Sequence, residues 1–255
     1  MIRFQQIRNA TVKLCYPNAT FLIDPWLSPT CTPEERDAAL HEHRFIEKPI
    51  CPLPASPEKI LSGVDYILVT HLHADHFSPD FLPPDAPMVF QSQEDAEAVK
   101  KTGFTKTAFF TDGLLSMGGV TVYRVEARHG DTDEQAKRAG PASGFVFVKE
   151  GEPTIYLAED TVFTENVRDV IRHFSPAVVI VNACDARGRY GRLIMNTEDV
   201  LKTCACSPAV IVIATHMDTV RHAHLSRAQL HANLEERPGA EQVLIPEDGE
   251  WIEIA

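Results

Sequence analysis

With 255 residues, 44% of them hydrophobic, the chain can bury a sizeable core as one large domain or two small ones. A formal net charge of −12 argues against nonspecific binding to nucleic acid or anionic lipid, while leaving room for a local basic pocket. No apolar run approaches the length of about 18 residues that a membrane-crossing helix needs.

The opening Met1-Ile2-Arg3-Phe4-Gln5-Gln6 lacks the apolar core of a secretory signal, so the protein is expected in the cytoplasm. Cys15, Cys31, Cys51, Cys184, Cys204 and Cys206 fit that compartment, since none stands in the CxxC spacing of a zinc ribbon. Strand-like runs are expected at 2–7, 11–16 and 20–23, the last closed by Asp24 before Pro25. Prolines at 29, 33, 49, 52, 54 and 57 then mark an irregular insert over 28–57, a candidate lid. Within it the polar stretch 34–44, which carries His41 and His43, is expected to form a short helix.

The chain's most informative stretch follows the apolar run 64–69: Thr70-His71-Leu72-His73-Ala74-Asp75-His76. Four metal-competent side chains fall within six residues, directly after a buried strand. Imidazole and carboxylate suit zinc by donor type, and also manganese or iron. His71 and His73 are two residues apart, so in an extended segment they project to one side and can share an ion. Asp75 and His76, beyond the turn, can hold a second ion beside the first. Two ions need more donors, and they appear where other strands are expected to end. His129 follows the alternating run 120–127, Asp160 follows 154–158, and His216 follows the apolar run 210–214.

Between and beyond these lie a helix start at Ser78-Pro79, a strand at 88–90, a helix over 94–101 and a hairpin of 114–117 with 120–127 across Gly118-Gly119. A polar loop over 130–138 is expected at the mouth of the site. Further strands at 145–148, 154–158, 177–181, 243–245 and 251–254 alternate with helices starting near Thr164, Thr197 and Ser226. The loop 185–192 is basic in an acidic protein. Its Arg187, Arg189 and Arg192 are candidate contacts for a substrate phosphate or carboxylate. His222 is a candidate for substrate contact and proton transfer.

HLHADH, followed in order by His129, Asp160 and His216, resembles the metallo-β-lactamase superfamily. Within it, Thr20-Phe21-Leu22-Ile23-Asp24-Pro25-Trp26-Leu27, Asn182-Ala183-Cys184-Asp185-Ala186 and His216-Met217-Asp218-Thr219-Val220-Arg221-His222 resemble the branch of cytoplasmic metal-dependent hydrolases that includes the ascorbate-6-phosphate lactonase-like proteins. The resemblance implies an α/β, four-layer αβ/βα sandwich, here read as a single domain over 1–255. It implies a first metal on His71, His73 and His129, a second on Asp75, His76 and His216, and Asp160 bridging both. It also implies that Asp24 lies under the metal loop and orients a ligand histidine. One departure stands out: the bridging aspartate of the superfamily is usually preceded by glycine, whereas Glu159 precedes Asp160 here.

The expected activity is hydrolysis of a small polar lactone or ester by a metal-bridging hydroxide, with Asp75 orienting the nucleophile or passing a proton. A phosphodiesterase on the same metals is the alternative, and a noncatalytic metal-binding or sensory protein is the alternative of another class. Neither nucleic acid nor membrane is an expected partner, and oligomeric state is left open.

Overall fold

The computed structural model describes residues 1–35, 38 and 48–255. The middle of the proline-rich insert, with His41, His43 and most of the helix expected over 34–44, lies outside them.

In chain order, β1 (Ile2–Arg8), β2 (Thr11–Tyr16), β3 (Ala19–Ile23), β4 (Tyr66–Val69), β5 (Met88–Phe90) and β6 (Thr107–Phe109) build most of one sheet. β7 (Leu114–Met117), β8 (Val120–Ala127), β9 (Ala142–Val148), β10 (Ile155–Glu159) and β11 (Val178–Asn182) begin the other. β12 (Arg187–Gly188) and β13 (Gly191–Arg192) form a separate ribbon. β14 (Ile211–Thr215) and β15 (Val243–Leu244) finish the second sheet, and β16 (Trp251–Ile254) returns to the first. The first sheet runs β16-β1-β2-β3-β4-β5-β6 and the second β15-β14-β11-β10-β9-β8-β7. Each has an antiparallel half of hairpins and a parallel half of crossovers.

Strand pleating explains the layering. Alternate residues of the antiparallel strands face inward, so Phe4, Val12, Leu14 and Phe21 of the first sheet meet Val122, Phe145, Phe147 and Leu157 of the second in one buried cluster. Phe21 and Phe147 cross edge-on with centroids 5.4 Å apart, a favoured aromatic geometry. The parallel strands are apolar on both faces because helices cover their outer sides. α1 (Pro57–Leu61) and α2 (Gln93–Lys100) lie outside the first sheet, over Leu22, Ile67 and Phe90. α3 (Asp133–Ala139) stands beside the strand ends. α4 (Glu165–Phe174), α5 (Thr197–Cys204) and α6 (Arg227–Leu234) cover the second sheet over Val179, Val181 and Val212. α4 buries Val167, Val170 and Ile171 at helical spacing and starts where Thr164 accepts from the Val167 amide. The result is the four-layer αβ/βα sandwich. Among the described residues, no helix is long and apolar enough to cross a membrane.

Two local expectations are corrected. The helix start at Ser78 does not propagate: the chain makes successive turns, with Leu82 N donating to Pro79 O and Ala86 N to Pro83 O. Phe81 takes a left-handed φ of 64°, and the Pro83-Pro84 pair supplies no N–H to continue a helix. The polar loop over 130–138 instead contains α3, capped by Thr132, whose hydroxyl accepts from Gln135 N.

Arg8 ties the base of the insert to this scaffold. Fully buried, it donates through Nη2 to Trp26 O (2.8 Å) and Ser28 O (2.9 Å) and through Nη1 to Cys51 O (3.1 Å). Beyond Cys51 the insert is pinned to the chain after His216, since Ile50 N donates to Thr219 O at 3.0 Å. Burial lowers the Arg8 pKa to about 10, which leaves it charged at neutral pH. Arg8→Met would leave the buried carbonyls of Trp26 and Ser28 without a donor and reduce Cys51 O to its longer bond from Thr30 Oγ1. We expect a loss of about 3 kcal/mol, read as a lower midpoint in thermal or urea unfolding.

Candidate metal centre

The strand-end logic of the sequence has a common geometric outcome. β4 runs into His71, His73, Asp75 and His76; β8 leads to His129, β10 to Asp160 and β14 to His216, and these ends meet at one edge of the sandwich. The donor atoms of His71, His73 and His129 lie within 4.8 Å of one another, and so do those of Asp75, His76 and His216. Asp160 stands between the groups: its Oδ2 is 3.3 Å from His129 Nε2, 3.3 Å from His76 Nε2 and 3.9 Å from His71 Nε2.

The imidazoles face one another closely. His71 Nε2 is 3.0 Å from His73 Nδ1, His129 Nε2 is 3.3 Å from the same atom, and His76 Nε2 is 3.1 Å from His216 Nε2. Their other nitrogens are all engaged elsewhere. His71 Nδ1 meets Thr70 Oγ1 (3.0 Å), His76 Nδ1 meets Asp24 Oδ2 (2.7 Å) and His129 Nδ1 meets Leu193 O (3.1 Å). His216 Nδ1 meets Cys184 Sγ (3.6 Å), and His73, reversed, sets Nε2 against Ala139 O (2.9 Å). Such outer partners fix each ring and aim its remaining lone pair inward. Five inward lone pairs and two carboxylates in a buried space repel unless cations or protons lie among them. The donor set therefore fits divalent metal.

Electrostatics agree. Burial and the neighbouring imidazoles push His71 and His73 below the ordinary histidine pKa, so both present free lone pairs. Burial opposes ionisation of Asp160, but His76, His129 and His216 outweigh it and hold the carboxyl well below its usual range. Asp75 is likewise held down against burial by His216 and His76. Without metal, His76 is raised well above its ordinary value, because Asp160, Asp24 and Glu159 outweigh the effect of burial, and His216 is raised similarly beside Cys184, Asp160 and Asp75.

Left-handed backbone recurs around the centre. Asp24, Glu159, Asp185 and His216 all take left-handed φ values of 46° to 65°. Glu159, at φ 58°, occupies a conformation that glycine adopts freely, which explains why glycine suits that position. Its buried carboxylate accepts from Asn182 Nδ2 (3.0 Å) and lies 3.5 Å from His76 Nδ1. Burial and Asp24 push its pKa up to about 8. Asn182 donates also to Asp160 Oδ1 (2.6 Å) and accepts from Thr215 Oγ1 (2.7 Å), which fixes the carboxylate of Asp160.

A cavity of about 240 Å³ opens over the centre, lined among others by His73, Asp75, His129, Asp160, His216 and His222. His222 Nε2 lies 3.7 Å from Asp75 Oδ2. The arginines of the 185–192 loop divide. Arg189 lines the cavity, whereas Arg187 pairs with Asp185 at 2.8 Å and Arg192 pairs with buried Asp199. Arg138 of α3 also lines the cavity. Both Arg138 and Arg189 lie over the Tyr190 ring, at 5.9 and 5.4 Å from its centroid. Nothing in the local sequence marks Arg138, because only the fold of α3 brings it to the mouth. Asn182 and Thr70 were also missed as positioning groups, since they act through contacts rather than a motif.

This fold and this centre define a metal-dependent hydrolase of the metallo-β-lactamase type. Residues 19–217 match the beta-lactamase superfamily domain, and the chain belongs to that family. It is 35% identical over 249 residues to the UPF0173 protein YddR of Bacillus subtilis, covering 96% of this chain and 97% of that one. A UPF0173 metal-dependent hydrolase of Methanosphaera stadtmanae is 28% identical over 66% of this chain and 72% of its own. Among solved structures, a possible metal-dependent hydrolase from Veillonella parvula superposes with a TM-score of 0.88 at 33% identity, covering 99% of each chain. Isothiocyanate hydrolase from Delia radicum gut bacteria superposes with a TM-score of 0.87 at 30% identity, again over 99% of each chain.

Two outcomes follow from the ring-orienting contacts. Asp24→Ala removes the acceptor for His76 Nδ1 and should weaken metal affinity about 10- to 100-fold in competition with a chromogenic chelator. Because His76 and His216 hold protons in the metal-free protein, loading should release protons, and affinity should rise with pH across neutrality. Calorimetric titration in buffers of different ionisation enthalpy measures that release; a buffer-independent heat would contradict it.

Proposed function

We propose that the chain is a dinuclear metallohydrolase that adds water to the electrophilic carbon of a small polar lactone or ester. The observation that carries this reading is the position of Asp160 Oδ2, equidistant from a histidine of each donor group. His71, His73 and His129 would hold one ion, Asp75, His76 and His216 the other, and Asp160 both; zinc suits the donors best, with manganese or iron accommodated. When bound, such ions polarise a substrate oxygen and lower the pKa of water towards neutrality.

The chain's own groups supply the rest. Asp75 faces His222 and His216 across the cavity wall, so it can align the attacking water. His222 is kept neutral by burial and can take a proton at one nitrogen and return it to the leaving alkoxide. Arg189, which lines the cavity together with Arg138, would receive a carboxylate or phosphate on the substrate's far end. Arg187 and Arg192 are committed to carboxylate partners and are poorer candidates for that contact. The cavity of about 240 Å³ suits a metabolite-sized substrate.

The likeness to an isothiocyanate hydrolase over the full chain supports a second reading. Water added to the central carbon of R–N=C=S gives a thiocarbamate that breaks down to an amine and carbonyl sulfide. The nucleophile and donor set would be the same.

The test measures metal per chain and turnover on the same preparation, purified without chelator. The substrate panel holds lactones, p-nitrophenyl esters, a chromogenic phosphodiester and benzyl isothiocyanate. About two metals per chain, falling sharply in Asp160→Ala, with turnover confined to lactones or esters, is the expected result. Turnover of the phosphodiester or the isothiocyanate alone would replace the substrate assignment. Full metal loading with no turnover of any member would mark a binding protein.

A further inference from the structure

We infer that the chain carries a second ligand site, separate from the metal centre, for a small oxyanion-bearing molecule, in the cleft between the outer face of β16-β1-β2 and the segment around α1. The cleft is the larger of the two, about 540 Å³, and shares no lining residue with the metal cavity. That volume falls within the range of roughly 300–1,000 Å³ typical of small-molecule sites.

Strand register builds its floor. Inward-facing Phe4, Val12 and Leu14 leave Arg3, Gln5, Lys13 and Cys15 on the opposite face. Gln5 pairs with Trp251 on one side and Lys13 on the other, so these three form one row across the sheet. Arg3 pairs with Glu253 on one side and with Cys15 on the other, Cys15 pairs with Thr20, and these form the next row, whose Glu253 lies at the sheet edge outside the cleft lining. Pro54, Lys59, Ile60 and Ser62 close the far wall.

The charge of this lining is unlike the rest of the molecule. In a protein of net charge −12, the cleft is lined by Arg3, Lys13 and Lys59 and, among the described residues, by no carboxylate. Lys13 is the decisive group. Only 5% exposed, its ammonium donates to Ile60 O and to no other acceptor among the described residues, leaving two of its three donors without a protein partner. A buried ammonium without a counter-charge is costly, and burial lowers its pKa accordingly. The bond to Ile60 O caps the last turn of α1, but one carbonyl does not neutralise a charge. An oxyanion in the cleft would complete the remaining donors and the charge. Arg3 is held over the Trp251 ring, 4.9 Å from the centroid, with its guanidinium edge available for a carboxylate or phosphate.

The experiment titrates the metal-loaded full-length protein with inorganic phosphate and, separately, citrate. Heat and Trp251 emission are followed; the other tryptophan, Trp26, is buried away from the cleft. Saturable binding of at least one probe is expected, weakened about tenfold in Lys59→Ala and in Arg3→Gln and abolished in Lys13→Met. Tighter phosphate points to a phosphate ester as the ligand, and tighter citrate to a carboxylic acid. The two surface variants keep the test valid even where Lys13→Met folds poorly. Absence of saturable binding of both probes, or binding unchanged in Lys59→Ala and Arg3→Gln, overturns the site; the latter result would place the anion at the metal centre.

Discussion

Much of this structure depends on one buried contact, between Asp24 and His76. Asp24 accepts from Thr70 N (2.8 Å), Thr70 Oγ1 (2.5 Å) and His76 Nδ1 (2.7 Å), while its own carbonyl accepts from Thr11 Oγ1 (2.6 Å). A fully buried carboxylate survives only when its lone pairs are filled, and here they are filled by the first residues of the metal loop. The same bonds fix where the loop begins, turn Thr70 towards His71, and set the tautomer of His76. The end of β3 thus determines the geometry after β4, its parallel neighbour.

That dependence explains the clustering of strained backbone. A ligand at a strand end must leave the ladder abruptly and point across the sheet edge, and left-handed residues make that turn in one step. Asp24, Glu159 and His216 each adopt it directly after β3, at the end of β10 and directly after β14. Asn9, also left-handed, donates from Nδ2 to Asp75 O at 3.0 Å and so braces the metal loop from the β1–β2 turn. The strain is held by the two sheets behind it, whose cores overdetermine the strand positions.

Legibility in the sequence followed the range of the interaction. The ends of β4, β8, β10 and β14 could be read because an apolar run and the donor after it are local features. Strand bounds such as those of β2, β5 and β16 were readable for the same reason. Asp24 was accessible through the family resemblance, since its own surroundings, an aspartate before proline, read equally well as a turn. The arginines were not sortable. Arg187, Arg189 and Arg192 share one loop, and only the folded ribbon of β12 and β13 gives Asp185 to the first and Asp199 to the last. Arg138 was hidden because α3 has no apolar stripe to announce it: its single buried residue is Gln135, which packs under Gly188 and accepts from Tyr190 N. A helix held by polar packing leaves little periodic signal.

Glu159 gains meaning when charge is counted across the centre. Asp24, Asp75, Glu159 and Asp160 place four carboxyl groups around His76 and His216. In the metal-free protein this charge is softened from two sides, by protons on the two histidines and by the raised pKa of Glu159. Divalent cations at the centre would balance this charge and displace those histidine protons. A glycine before Asp160 would relieve the backbone but remove one of the four carboxyl groups. Glutamate at this position therefore combines a left-handed backbone at φ 58° with a buried carboxyl group whose charge cations at the centre would balance.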